Sequence, residues 1–287
     1  MPGEWSCYWR AQDRPIEVMR ARFDQHVYHR HSHDAYSFGI TERGAQTFTC
    51  RGGGHTSAEG MVMAFNPDDP HDGRSATEPG FTYRIVHIGP ELVEDVLADA
   101  TGHQRAPLFA APVLEDPVLA EALRGLSAAL VENEGRLAQD EALTAAVLAM
   151  ARRGSTKPPV IRSESAPVER ARELLHEEFH RNIGAAELAA VAGCSRHALH
   201  RGFLAAFGMA ASDYHRQVRL REARRLLELG RPLAEIAAEV GFADQPHLTR
   251  WFSRYYGITP AAYRAAGISV GAARFSRRAA SAAMLGP

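Results

Sequence analysis

The chain has 287 residues, room for two domains that each bury a core. Its formal net charge of −1 hides an uneven distribution: residues 168–287 hold 17 Arg, no Lys and 11 acidic side chains, against 16 basic and 23 acidic ones in residues 1–167. A basic half suited to phosphates therefore follows an acidic half that is not.

The three cysteines, Cys7, Cys50 and Cys194, are scattered and odd in number, so they imply neither a disulfide framework nor a zinc ligand set. No run of about 18 apolar residues is present to span a bilayer. The start, Met1-Pro2-Gly3-Glu4-Trp5, lacks a basic region followed by an apolar run. A cytoplasmic protein with no membrane partner is the expectation.

Five short β-prone runs come first, at residues 17–23, 35–41, 46–50, 61–65 and 82–88, separated by turn clusters such as Glu42-Arg43-Gly44 and Asn66-Pro67-Asp68-Asp69-Pro70. Short strands at this spacing favour a small barrel or jelly roll over a βαβ fold. Along them Tyr36, Phe38 and Ile40 share one face, as do Tyr83, Ile85 and His87.

The pattern turns helical after Pro90, with predicted helices at 91–101, 117–133 and 136–153. Leu119, Leu123, Leu126 and Leu130 form one apolar stripe, and Leu137, Leu143, Val147 and Met150 nearly form another. Such stripes need a surface to cover, either the barrel or the same helices of a second subunit, and a homodimer is the expectation. Residues 154–167, with Lys157-Pro158-Pro159 and several serines, read as a linker.

The second half says nearly the same thing twice. Leu188-Ala189, Gly193, Leu199, Arg201, Phe203, Phe207-Gly208 and Tyr214 recur as Ile236-Ala237, Gly241, Leu248, Arg250, Phe252, Tyr256-Gly257 and Tyr263, shifted by 48 residues before the turn and 49 after it. Each copy reads as a short helix, a turn opened by Gly, and a second helix, which is a helix-turn-helix.

In the first copy Ser195 is placed to cap a recognition helix over 196–207, whose outer face shows Arg196, His197, His200 and Arg201. In the second, Asp244 is the cap and Gln245, Pro246, Thr249 and Arg250 are the outward candidates. Pro246 falls in the first turn, where its missing N–H costs nothing. Arg suits guanine and Gln suits adenine in the major groove. Between the copies, residues 211–229 contain no Pro or Gly and read as one straight spacer. Copies joined head to tail would read an asymmetric operator in double-stranded DNA.

Residues 168–266 resemble the DNA-binding domain of the AraC/XylS family of bacterial transcription regulators. The segments that carry the resemblance are Glu187-Leu188-Ala189, Leu199-His200-Arg201-Gly202-Phe203, Val240-Gly241-Phe242 and above all Tyr256-Gly257-Ile258-Thr259-Pro260 with Tyr263-Arg264. The resemblance implies a seven-helix domain with base-reading positions at His197, His200, Arg201, Gln245, Thr249 and Arg250. It also implies an activator that often touches RNA polymerase.

The first half adds to it. His31-Ser32-His33 before a strand, with residues 60–71 ending in His71 later, is similar to the two short motifs of cupin barrels, which AraC-like regulators often carry as effector-binding domains. A metal site of His31, His33 and His71 would suit zinc, iron or nickel. Metal-binding cupins usually add a carboxylate a few residues beyond the paired histidines, where this chain has Tyr36, Ser37 and Phe38. The expectation is accordingly no bound metal and no cofactor. Instead His31, His33, Tyr36, His71 and Arg84 are expected to line a polar effector cavity.

The expected fold class is an α+β two-domain chain. A cupin-like barrel spans 1–90, a helical pair 91–153, the linker 154–167, an all-α domain with two helix-turn-helix motifs 168–266, and a disordered tail 267–287. The expected function is an effector-responsive, sequence-specific transcription regulator and not an enzyme. The alternative is a metal-dependent cupin enzyme with an appended DNA-binding domain.

Overall fold

A computed structural model describes residues 4–101, 106–154 and 166–268. Most of the predicted linker and nearly all of the predicted tail lie outside the described residues.

Among the described residues, ten strands and ten helices follow one another in two blocks. The strands are β1 (Trp5–Arg10), β2 (Ile16–Phe23), β3 (Tyr28–His31), β4 (Tyr36–Arg43), β5 (Ala45–Cys50), β6 (Gly53–Ala58), β7 (Val62–Phe65), β8 (His71–Ser75), β9 (Phe81–Ile88) and the short β10 (Val113–Leu114). They form two antiparallel sheets, one in the order β1-β2-β9-β4-β7-β10 and the other β3-β8-β5-β6. The inner faces enclose a core of Met19, Phe23, Phe48, Met63, Phe65, Phe81, Tyr83 and Ile85. The five predicted strands are present as β2, β4, β5, β7 and β9. Missed were β1, β3, β6, β8 and β10, several of which are polar or histidine-rich and lack an apolar alternation. Gly53 and Gly54, expected in a turn, open β6.

The outer face of the larger sheet is covered by α1 (Pro90–Thr101), α2 (Pro117–Val131) and α3 (Arg136–Arg153). Leu119, Leu123, Leu126 and Leu130 of α2 and Leu143, Val147 and Met150 of α3 pack on Ile16, Val18, Phe38, Ile40, Val86 and Ile88. The stripes are thus satisfied within the chain. Leu137, expected in the α3 stripe, is instead 72% exposed, in the first turn of a helix whose buried residues begin at Leu143. Asp116 caps α2 by accepting from the backbone N–H groups of Val118 and Leu119, both at 3.0 Å.

The second block is all helical: α4 (Ala166–Glu177), α5 (Ala185–Ala192), α6 (Arg196–Phe207), α7 (Ala211–Glu228), α8 (Leu233–Glu239), α9 (Gln245–Tyr256) and α10 (Pro260–Ile268). These are the seven helices that the family resemblance implied. α4, α5 and α6 enclose one core around Leu188, Leu199 and Phe203. α8, α9 and α10 enclose another around Ile236, Leu248, Phe252 and Tyr263. α7 contributes Tyr214 and Val218 to the first and Leu220, Leu226 and Leu227 to the second, so it is the rigid member shared by both. Its 18 residues make a rod of about 27 Å. Among the described residues no helix is long and apolar enough to cross a membrane.

Candidate effector cavity and DNA-reading surface

The two helix-turn-helix units are built by local chemistry. Gly193 and Gly241 adopt φ of 69° and 81° at the turns, a left-handed conformation that glycine reaches without steric cost. Ser195 accepts a hydrogen bond from the Ala198 N–H at 3.1 Å, and Asp244 from the His247 N–H at 2.6 Å, so both recognition helices start at the predicted caps. Leu199 and Phe203 in α6, and Leu248 and Phe252 in α9, are buried. This leaves Arg196, His197, His200 and Arg201 of α6 exposed, together with Gln245, Pro246 and Arg250 of α9, while Thr249 is half-buried. All eight predicted DNA-reading residues thus lie on the two second helices, away from the cores.

The helical block rests on one end of the sheet sandwich. Arg224 of α7 forms an ion pair with Glu17 of β2 at 2.5 Å, and the Tyr263 hydroxyl of α10 donates to the other Glu17 oxygen at 2.8 Å. The Tyr8 hydroxyl donates to Glu17 as well, and its ring lies 5.3 Å from that of Tyr263. Two residues from His33, Ser32 exchange hydrogen bonds with Gln217 of α7: its backbone N–H donates at 3.0 Å and its hydroxyl accepts at 2.7 Å. Arg221 reaches Asp68 at 2.6 Å, and Arg10 reaches Glu228 at 2.7 Å. Glu17 and Gln217 are 9% and 2% exposed, so most of this contact is dry. Burial alone would raise the Glu17 carboxyl, but Arg224 and the two tyrosine donors outweigh it and hold the group down at about 2.

Between the blocks lies a cavity of about 50 Å³, large enough for a few waters. Its floor is the inner face of the sandwich, with Met19, Phe48, Met63, Phe65, Tyr83 and Ile85. Its roof is Arg224, Tyr255, Tyr256 and Tyr263 from α7, α9 and α10. Four histidines stand between them: His31, His33, His71 and His87. Burial first keeps all four below the ordinary imidazole range, His71 and His87 at about 4; repulsion from neighbouring rings adds to it at His31, His33 and His71, and the Arg224 charge at His87. They are neutral near neutral pH.

Three of the five predicted effector residues therefore line the cavity: His31, His33 and His71. Tyr36 and Arg84 do not, and the register gives the reason. Tyr36 pairs with Ile88, Ser37 with His87 and Ile40 with Arg84 across β4 and β9. Ser37 and His87 point inward, their Oγ and Nδ1 atoms 2.8 Å apart. Tyr36, Ile40 and Arg84 point out toward the helices. Accordingly, the Tyr36 hydroxyl donates to the Pro107 carbonyl at 2.8 Å, and Arg84 bonds Ser127 of α2 at 3.1 Å and Glu42 at 2.9 Å. His87, one alternation step from Ile85, was legible as an inward residue. Glu17, Arg224 and the roof tyrosines carried no local signal, since their role exists only where the two blocks meet.

Residues 15–150 match the family described as AraC-like ligand binding domain, and residues 188–266 match a family described as helix-turn-helix domain. The HTH-type transcriptional regulator YbfI of Bacillus subtilis is 28% identical over 235 residues, covering 81% of this chain and 86% of its own. The HTH-type transcriptional activator RhaR of Escherichia coli is 38% identical over 74 residues, which is 25% of this chain and 26% of that one. The crystal structure of ToxT from Vibrio cholerae superposes with a TM-score of 0.55 at 12% identity, over 93% of this chain and 99% of its own. A sensing fold and a duplicated helix-turn-helix fold thus stand in that order here and in a relative aligned along most of its length, and the chain belongs to the AraC/XylS family of transcription regulators, with an N-terminal effector-binding domain and a C-terminal DNA-binding domain.

Proposed function

We propose that the effector enters the cavity between sandwich and helices and that its occupancy sets the arrangement of the DNA-reading half. The observation that carries this reading is the shared wall, in which one side is β-sheet and the other is the spacer helix α7 with α9 and α10. At about 50 Å³ the cavity, partly open to solvent, holds little more than a few waters. A larger molecule fits only if the roof shifts, and that shift acts on the helix shared by both helix-turn-helix cores. Coupling of this kind requires the effector to favour one arrangement, by about 1–3 kcal/mol in ordinary allosteric proteins.

ToxT has been crystallised with an unsaturated fatty acid and with a naphthalenyl butenoic acid, both carboxylic acids. Here, among the described residues, Arg224 is the one arginine in the cavity wall, and Glu17 already holds it. An acidic effector would compete with Glu17 and loosen the junction; a neutral one would leave it closed. The wall otherwise suits a small molecule with an apolar body and a polar end that meets His31, His33 or His71.

On the DNA side, Arg196, His197, His200, Arg201, Gln245, Pro246, Thr249 and Arg250 form the reading surface. Two unequal recognition helices in tandem read an asymmetric site on one face of double-stranded DNA. We further propose a cytoplasmic homodimer that activates transcription through contact with RNA polymerase, in keeping with the activator RhaR. The regulatory reading needs no catalytic step, and the reported relatives are regulators.

Selection of bound genomic fragments with and without candidate metabolites tests the whole reading. We expect specific affinity that falls steeply with salt, as released counterions require, and a footprint over two consecutive major grooves. No preference for any genomic fragment over random duplex would overturn it.

A further inference from the structure

We propose that His31, His33 and His71 form a binding site for one divalent transition-metal ion of the zinc, cobalt or nickel class, with an open coordination position facing the cavity. The three residues come from two paired strand ends. His31 closes β3, His71 opens β8 directly opposite it, and His33 follows two residues on. One ring nitrogen from each lies within 4.8 Å of the others, and all three side chains are buried. A tetrahedral ion with metal–nitrogen bonds of about 2.0–2.1 Å would hold its ligands roughly 3.4 Å apart. Closing the difference falls mainly to His33, whose ring no hydrogen bond anchors among the described residues.

The supporting groups are those a metal-binding imidazole uses. The Nδ1 of His31 donates to the His29 carbonyl at 2.6 Å, and the Nδ1 of His71 donates to the Asp69 carbonyl at 2.8 Å. A carbonyl only accepts, so these bonds place the proton on Nδ1 and leave the Nε2 lone pair of each neutral ring free. The His71 ring is also stacked on Phe65 at 3.8 Å between centroids, which fixes its plane. His33 is 91% buried, and among the described residues its ring makes no hydrogen bond, although it faces the same cavity as the other two. A buried polar ring without a partner costs free energy unless something in the cavity supplies one.

The donor set selects the ion. Three imidazoles without a carboxylate suit zinc, cobalt, nickel or copper and not magnesium or calcium, which require oxygen ligands. The nearest carboxylates are engaged elsewhere: Asp69 with Arg51, Asp72 with the Thr49 N–H at 2.6 Å, and Glu17 with Arg224. The cations that act on these rings are paired, Arg224 with Glu17 and Arg30 with Asp72, and so oppose the ion weakly. A few-water cavity also suits an ion and its remaining water ligands better than it suits a large organic molecule. This site stands whether or not an organic effector binds beside it.

The test uses the untagged full chain, stripped by a chelator and titrated with Co²⁺. The expected result is a visible d–d absorption of tetrahedral intensity that saturates at one equivalent per chain and is displaced by Zn²⁺. His33→Ala and His71→Ala should weaken binding by more than the roughly 10–100-fold that loss of a supporting partner costs. His55→Ala, outside the cluster, should leave the titration unchanged. X-ray absorption of the zinc-loaded wild-type chain should read three imidazole nitrogens, and this result needs no variant to fold. A wild-type chain that shows no saturable band overturns the proposal. So does a band that persists unchanged in His33→Ala and His71→Ala, or a zinc shell without three imidazoles.

Discussion

Glu17 shows how much a single side chain can hold between two folds. Its carboxylate receives Arg224, Tyr8 and Tyr263 at once, from α7, β1 and α10. Replacing it with Gln leaves a buried guanidinium without its counter-ion, and Glu17→Gln should cost about 3–5 kcal/mol in urea denaturation. The pH dependence has a definite sign. The folded carboxyl sits at about 2 against an ordinary 4.5, so its contribution is complete above 4.5 and is lost as pH falls from there toward 2. Of the groups facing it, Arg224, Tyr8 and Tyr263 keep their charge state throughout this range, while His87, at about 4, takes up a proton within it in wild type and variant alike. Between pH 5 and 3 the wild type should lose stability with a component that Glu17→Gln lacks; parallel curves would show that the pair contributes nothing. At the DNA surface, Arg201→Ala and Arg250→Ala should each reduce discrimination between operator and single-mismatch duplex by about 1–3 kcal/mol in anisotropy titrations. An unchanged preference would mean that these arginines touch only phosphates.

Among the elements, the recognition helices depend on their turns. Gly241 has φ of 81°, and an added Cβ would press on the His180 carbonyl and the Arg219 guanidinium. Arg219 itself donates to the carbonyls of Phe179, Gly241 and Arg181 at 2.7, 2.8 and 2.7 Å, tying the turn to the segment after α4. Gly241→Ala therefore combines left-handed strain, of order 1–2 kcal/mol, with displacement of that network. The expected outcome is loss of DNA protection over the half-site read by α9, with the α6 half-site retained; equal loss at both would show that the two units do not fold separately. Asp244→Ala removes only the cap and should cost about 1 kcal/mol, measured by thermal unfolding. The same local rules made these helices legible. Gly before the cap, Ser195 or Asp244 at the cap, and apolar residues at helical spacing specify start, stop and inward face within a dozen residues. Strands such as β3 and β8 carried no such pattern, since His29, Arg30, Asp72 and Arg74 sit on small polar ribbons whose pairing partner is remote.

For the whole molecule, the consequence of the fold is that the proposed effector cavity has no roof from the sheet domain itself. Tyr255 and Tyr256, on the helix that also presents Gln245 and Arg250, close it from above. Any ligand that moves the roof is therefore felt in DNA binding without a separate relay. For a neutral effector, which makes no use of the guanidinium, Arg224→Ala should uncouple the two: effector binding persists while its influence on operator affinity falls toward zero, read as the ratio of DNA affinities with and without ligand. A ratio equal to the wild type's would place the coupling elsewhere.

The sequence by itself determined the tandem helix-turn-helix, its caps and spacer, the five apolar strands and the stripes of α2 and α3, because each is written in a period of two or 3.6 residues over a short span. It also marked His31, His33 and His71 as a set. Only the tertiary structure decided that Tyr36 and Arg84 face the helices while Ser37 and His87 face the sandwich interior, since a strand's alternation shows two faces without saying which is inside. It also decided that α2 and α3 cover the sheet of their own chain. The junction of Glu17 with Arg224, some 200 residues apart, depends on how two separately folded cores dock; docking is set by surfaces that neither local pattern encodes.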